Sequence, residues 1–224
     1  VIEELRKSAA HVVVNNLANI ELDEHDSHHV FRVLRVRDGN VVTATDGQGN
    51  WRSCRVVGRD ALEPTGEVIH EAAPAYRVGV AFVPVKAEKP ETTVKQLVEV
   101  GVDDIVVLLP TVRAVAGARD RLHERVERLV REACMQSRRV YAPQVTIGIA
   151  LTDISSSSGV VFADPQGGTL TGAHRMIVVG PEGGFEESEI PSGTARVGIG
   201  PVVMRAETAS LVAGARLVSL REGQ

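Results

Sequence analysis

Short β-branched runs broken by turn signals fill residues 1–73 of this chain. The run His11-Val12-Val13-Val14 and the run Val41-Val42-Thr43-Ala44-Thr45 each predict a strand. The glycine-rich stretch 46–50 then predicts a tight turn into residues 51–57, where alternating apolar and polar positions predict a half-buried hairpin arm. Residues 26–34 read as one short helix, entered by an Asp or Ser cap and ending before Asp38-Gly39. These pieces predict a small β-barrel-like module over the first seventy residues, followed by a linker at 71–74 that sets the domain boundary after residue 73. From Tyr76 onward the rhythm changes. Apolar strands are predicted at 78–83, 105–109, 160–163, 176–179 and 195–199, with amphipathic helices at 91–100 and 122–137 and a closing helix at 208–220. Strands that are apolar throughout and alternate with helices predict an α/β domain with a parallel sheet over 74–224.

Two strands of that domain end alike. Ile177-Val178-Val179 runs into Gly180-Pro181-Glu182-Gly183-Gly184-Phe185, and Val197-Gly198-Ile199 runs into Gly200-Pro201-Val202-Val203-Met204-Arg205-Ala206-Glu207. Glycine lets the main chain approach a ligand, and proline fixes the direction in which the chain leaves. Loops at the carboxyl ends of neighbouring parallel strands are where such sheets bind ligands. The pair therefore predicts a pocket of main-chain amides and carbonyls for a flat, polar cofactor. A phosphate cradle is disfavoured, because no Lys-Ser/Thr follows and the spacing is not Gly-x-Gly-x-x-Gly.

Charge sharpens the picture only through its distribution. The net charge is −4, which excludes indiscriminate coating of nucleic acid. Yet Arg32, Arg35, Arg37, Arg52, Arg55 and Arg59 face only Asp38 and Asp46 between residues 31 and 59. A second arginine-rich stretch runs from Arg113 to Arg139. These are either solvated faces or a local polyanion-binding surface. Cys54 and Cys134 lack metal-ligand spacing, and the histidines at 25, 28 and 29 do not share a helix face, so no metal site is expected. No apolar run approaches a membrane span and the first residues lack a signal-peptide core, so no membrane association and a cytoplasmic location are expected. Trp51 reads equally as hairpin core or as a base-stacking platform.

Four ordered blocks carry a resemblance: residues 97–102 (Leu-Val-Glu-Val-Gly-Val), 132–138 (Glu-Ala-Cys-Met-Gln-Ser-Arg), 180–185 and 200–209. With residues 28–35 and Asp46-Gly47 in front, the chain resembles the RsmE family, the 16S ribosomal RNA (uracil-N3)-methyltransferases of the SPOUT class. The resemblance implies a PUA-like RNA-binding β-barrel domain over 1–73 and, over 74–224, an α/β SPOUT domain whose parallel sheet carries a trefoil knot. It also implies a homodimer that uses S-adenosylmethionine on 16S ribosomal RNA in the small subunit.

The site residues follow from the same likeness. Gly180, Pro181, Glu182, Gly183, Gly184, Ile199, Gly200, Val203, Met204 and Ala206 are expected to hold the cofactor, with Ile199 and Met204 on the adenine face. Phe162 and Ala163, opening a third loop that continues through Asp164-Pro165, complete its wall. Arg205 is expected to stabilise charge on the uracil. Glu207 is either base or partner of a helix N-terminus, the latter favoured. His29, Arg32, Arg35, Arg113 and Arg138 are expected to meet the RNA. Val202 departs from the pattern, since members commonly carry an arginine there, and Gln96 stands where a lysine is usual. A non-catalytic RNA-binding homodimer, or an enzyme acting on another RNA, are the rival readings.

Overall fold

The computed structural model describes residues 3–85, 89–111, 123, 125–154 and 158–223. The chain divides into two compact units, one of residues 1–73 with 131–142 and one of 74–130 with 143–224.

In the first unit a short helix α1 (Glu3–Lys7) leads into β1 (Ala10–Val13), which pairs in parallel with β2 (Val41–Thr45). From β2 the chain turns at Asp46, whose carboxylate accepts from Gln48 N and Asn50 Nδ2, into β3 (Asn50–Val57). Antiparallel to β3 lie β4 (Ala61–Pro64) and β5 (Ile69–His70). The inward positions Val12, Val30, Val42, Ala44, Cys54 and Val56 form the core with Met135, which arrives from the later helix α4 (Val126–Ser137). Trp51 is 1% exposed and donates from Nε1 to Glu71, so it belongs to the hairpin core.

Residues 24–34 differ from the single helix expected. Helix α2 (Glu24–His28), capped by the Asp23 carboxylate on Asp26 N, continues directly into a π turn (His29–Val33). That turn closes with Leu34 N on His29 O, and Arg35 follows at φ +56°. A π turn widens the helix by one residue, an irregularity that side-chain periodicity does not reveal. Asp26 is buried and paired with Arg131 at 2.5 Å, which anchors α2.

His11 is buried in a polar network beside this core. Its Nδ1 lies 2.8 Å from Thr43 Oγ1, and its Nε2 donates to Arg139 O at 3.2 Å, so the neutral ring carries its proton on Nε2. Burial lowers the pKa of His11 to about 4, against the opposing effect of its hydrogen bond to Arg139 O and with help from the Arg138 charge. The unfolded chain therefore binds a proton that the folded unit refuses between pH 6.5 and about 4. The stability attached to neutral His11 is whole above pH 6.5 and is lost as pH falls through that window, by about 3 kcal/mol in all. Urea titrations of wild type from pH 7.5 to 4.5 should show this loss, and His11→Gln should show a shallower acid slope over the same range.

The second unit is built on a six-stranded parallel sheet. Its strands are β6 (Gly79–Phe82), β7 (Asp104–Leu108), β8 (Gln144–Ile149), β9 (Val160–Thr169), β10 (Met176–Val179) and β11 (Arg196–Gly198). The sheet order is β11-β9-β10-β6-β7-β8. After β8 the chain returns through the short helix α5 (Leu151–Ile154) to the far side of β6, so the middle of β9 and the loops after β10 and β11 gather on one surface. Strand β8 and helix α5 were not legible in the sequence pattern.

Two helices of this unit pack together. Helix α3 (Pro90–Val100) starts with proline in its first turn and stops at Gly101, φ +102°. Helix α6 (Ala206–Glu222) buries Ala209, Ser210, Ala213, Gly214 and Leu217. A Cβ at Gly214 would sit 2.7 Å from Val102 Cγ2 and 3.0 Å from Leu97 Cδ2, so only glycine allows this close crossing. No helix among the described residues is long and apolar enough to cross a membrane.

Candidate active site

The strand ends of the second unit enclose a cavity of about 280 Å³. It is lined by Phe162, Ala163, Asp164 and Pro165 within β9, and by Val179 at the end of β10 with Gly180, Pro181, Glu182, Gly183, Gly184 and Phe185 after it. Ile199, Gly200, Val202, Val203, Met204, Ala206 and Ala209 complete it, with Ile190 and Arg196 at its side. The sequence-expected cofactor residues thus all stand on one surface, together with a few neighbours that periodicity did not single out.

Each loop has a local cause. In the ladder between β9 and β11, Phe162 pairs with Arg196 but the next rung joins Gly168 to Val197. Residues 163–167 therefore have no rung of their own on β11 and form a bulge inside β9, which a proline tolerates. Gly167 passes so close to β11 that a Cβ there would lie 2.5 Å from Val197 backbone atoms. In the second loop Phe185 turns back, its ring 5.2 Å from that of Phe162 at 76°, an edge-to-face pair that staples this loop to β9. A Cβ on Gly180 would meet the Phe185 ring at 2.8 Å, which explains glycine there. Gly184 has φ +71° and open space around its α-carbon. In the third loop Met204 folds over Gly200, where a Cβ would meet its methyl at 2.9 Å.

Arg196 is the residue that sequence reasoning missed. Its guanidinium reaches Asp164 at 3.3 Å and Glu187 at 2.6 Å, joining the bulge to the 3₁₀ turn (Glu187–Glu189) that follows the Gly-Pro loop. The Glu187 carboxylate, and behind it Asp164, hold the guanidinium pKa above its ordinary value. The only sequence signal was a charge opening an otherwise apolar strand. Solvent screening leaves ion pairs at such a surface with little weight in stability. Arg196→Gln should therefore leave the thermal midpoint nearly unchanged while weakening binding of the cofactor expected from the sequence by about threefold to fivefold through looser loops. Calorimetric titration checks this, and a large fall in midpoint instead would assign Arg196 to folding.

The remaining expected residues divide. Arg205 is the N-cap of α6, exposed, and its side chain makes no hydrogen bond or ion pair among the described residues, between two cavity-lining neighbours, Met204 and Ala206. Glu207 lies half-buried in the first turn of α6, where the helix dipole favours a negative charge. Val202 and Val203 form an exposed lip, 65% and 82% accessible. In the first unit His29 opens the π turn, and Arg32 and Arg35 are exposed. Arg138, at φ +59°, donates to Leu5 O, Ser8 Oγ and Ser8 O, so its fork is spent on α1 and the start of β1. Arg113 lies outside the described residues. Burial pushes the Cys54 and Cys134 thiols up to about 11, as expected of packing side chains rather than nucleophiles.

This fold and site define an RNA methyltransferase: the RNA methyltransferase domain family matches residues 72–218, and its PUA domain companion matches 22–68. Proteins named ribosomal RNA small subunit methyltransferase E from Mycobacterium bovis and Mycobacterium tuberculosis are each 30% identical over 226 residues, 86% of this chain and 83% of theirs. A Neisseria gonorrhoeae protein of the same name, solved bound to S-adenosyl methionine, superposes with a TM-score of 0.73 at 24% identity, covering 94% of this chain and 97% of its own. The chain belongs to the ribosomal RNA small subunit methyltransferase E family, RsmE.

Proposed function

We propose that the chain methylates N3 of one uridine in 16S ribosomal RNA of the small subunit, using S-adenosylmethionine, as a homodimer in the cytoplasm. A trefoil-knotted course of the second unit belongs to the same proposal. The observation that carries the reading is the cavity between the bulge of β9 and the loops after β10 and β11 in a chain of this family.

The cavity suits the cofactor. About 280 Å³ is near the lower end of the range for small-ligand sites, and apolar Ile199 and Met204 stand beside open backbone at Gly184. Main-chain groups of 180–184 and 198–204 would hold the adenine, with Ile199 and Met204 as its apolar partners and Phe162-Ala163 closing the wall. Glu182 supplies negative charge for a cationic ligand, whereas that of Asp164 is already paired with Arg196. When bound, S-adenosylmethionine supplies an electrophilic methyl group on a sulfonium.

The chain's own residues do the rest. Displacement at a methyl carbon is governed by alignment, so the fixed loops contribute by positioning. Uracil N3 must lose its proton, which passes to solvent water, and negative charge then spreads onto O2 and O4. Arg205, with its guanidinium unspent inside the protein, stabilises that charge. Glu207 stays beside the positive end of α6 and balances the neighbouring arginine. His29, Arg32 and Arg35 of the first unit contact the RNA, and Arg113, outside the described residues, is a further RNA-contact candidate from the sequence.

Val202 favours one alternative. An exposed valine where the family commonly carries arginine suits a homodimer that binds RNA without turnover. Isothermal titration with S-adenosylmethionine separates the two: saturable one-per-protomer binding supports the enzyme, and no heat of binding supports the alternative.

A further inference from the structure

The first unit contains a second cleft, of about 430 Å³, lined by Glu24, Ser27, His28, Phe31, Arg32, Arg59 and Asp60. That volume falls within the range of small-ligand sites. The cleft joins α2 and the π turn to the tip of the β3–β4 hairpin. Its platform is fixed, because Asp26 is tied to Arg131 below it and Phe31 packs part of its ring on the core. Arg32 and Arg59 share the cleft with Glu24 and Asp60, yet none of these four side chains makes an ion pair or hydrogen bond among the described residues. Elsewhere in the unit Arg131 and Arg138 are spent on the protein itself, and Arg52 donates to Leu17 O and Gly66 O through its two terminal nitrogens. Charges of both signs held in one cleft without closing on each other form a recognition surface that presents donors and acceptors together.

We propose that this cleft receives one unpaired guanine nucleotide of the RNA, distinct from the uridine that is methylated. The inference rests on the RNA-methyltransferase reading and adds a sequence-reading subsite to it. RNA is read mainly at unpaired bases that stack on an aromatic ring and offer their edges to side chains. Here Phe31 supplies the ring and the two arginines supply phosphate and base contacts. Guanine alone presents O6 and N7 acceptors to a guanidinium on one edge and N–H donors to a carboxylate on another. Uracil has a single N–H donor and leaves one carboxylate without a partner. The π turn, which sets Phe31 and Arg32 out of helical register, is the kind of irregularity found at functional sites.

Two measurements on the full chain test this. Phe31→Leu and Arg59→Gln should each raise KM for small subunits lacking the modification by about tenfold, with kcat within about twofold. Fluorescence anisotropy with labelled RNA pentamers should show that wild type prefers a pentamer with one central guanine over its uracil counterpart, and that Arg59→Gln loses this preference. Thermal midpoints like wild type keep both readings free of misfolding. Unchanged KM in both variants, or equal binding of the two pentamers, overturns the subsite while wild-type methylation leaves the parent reading standing. Absence of methyl transfer by wild type overturns the parent reading itself.

Discussion

Alanine at Arg205 should lower kcat by about two to three orders of magnitude, the usual cost of removing one preorganised donor at a developing anion. Cofactor affinity should stay within a few-fold, because Arg205 is exposed and is not among the residues lining the cavity, although its neighbours Met204 and Ala206 are. The side chain makes no cap bond on α6, so truncating it removes no contact that holds the helix. Single-turnover rates with saturating small subunits measure the chemical step, and calorimetry measures the cofactor. A fall in affinity matching the fall in rate would mean that Arg205 binds cofactor rather than acting on the uracil. A collapsed thermal transition would make its role structural.

Gly167→Ala should be the most damaging change to the cavity's frame. The added Cβ would lie 2.5 Å from Val197 N and C, and neither backbone atom can rotate away as a side-chain tip could. Either β9 parts from β11 or the 163–167 bulge is displaced. Overpacking of this kind costs about 1–3 kcal/mol. In a unit of this size that corresponds to a midpoint lower by about 3–10 °C. The bulge carries Ala163, Asp164 and Pro165 into the cavity, so cofactor binding should weaken with it. Differential scanning calorimetry with and without S-adenosylmethionine checks both effects. Gly168→Ala is the control, since its nearest neighbour would be 3.8 Å from the new Cβ.

The two glycines differ by one position in sequence, and nothing in the local pattern separates them. Their contrast marks what could be read without the fold. The strands at 176–179 and 195–199, and the helices at 91–100 and 208–220, were legible because apolar periodicity and the Gly101 stop are local properties. The Gly-Pro loops were legible because glycine and proline report backbone geometry directly. Arg196 was not, since its partners Asp164 and Glu187 lie 32 and 9 residues away and meet it only through the sheet order. For the same reason local patterns hid the grouping of 131–142 with the first 73 residues, made through contacts such as Arg131 with Asp26. Strand β8 escaped because Gly148, at φ +82°, interrupts a run that also shifts register against β7. Strand β9 read as four residues because its middle, Pro165 to Gly168, carries turn chemistry inside a ten-residue strand.

The central claim is methyl transfer to one uridine N3. Small subunits lacking the modification, incubated with the protein and S-adenosylmethionine carrying a labelled methyl group, test it directly. Nuclease digestion of the recovered 16S ribosomal RNA and mass spectrometry of the nucleosides then locate the label. The account predicts about one labelled methyl per subunit, recovered as N3-methyluridine from one oligonucleotide. Label absent from the RNA, or recovered on a ribose or on another base, would contradict it.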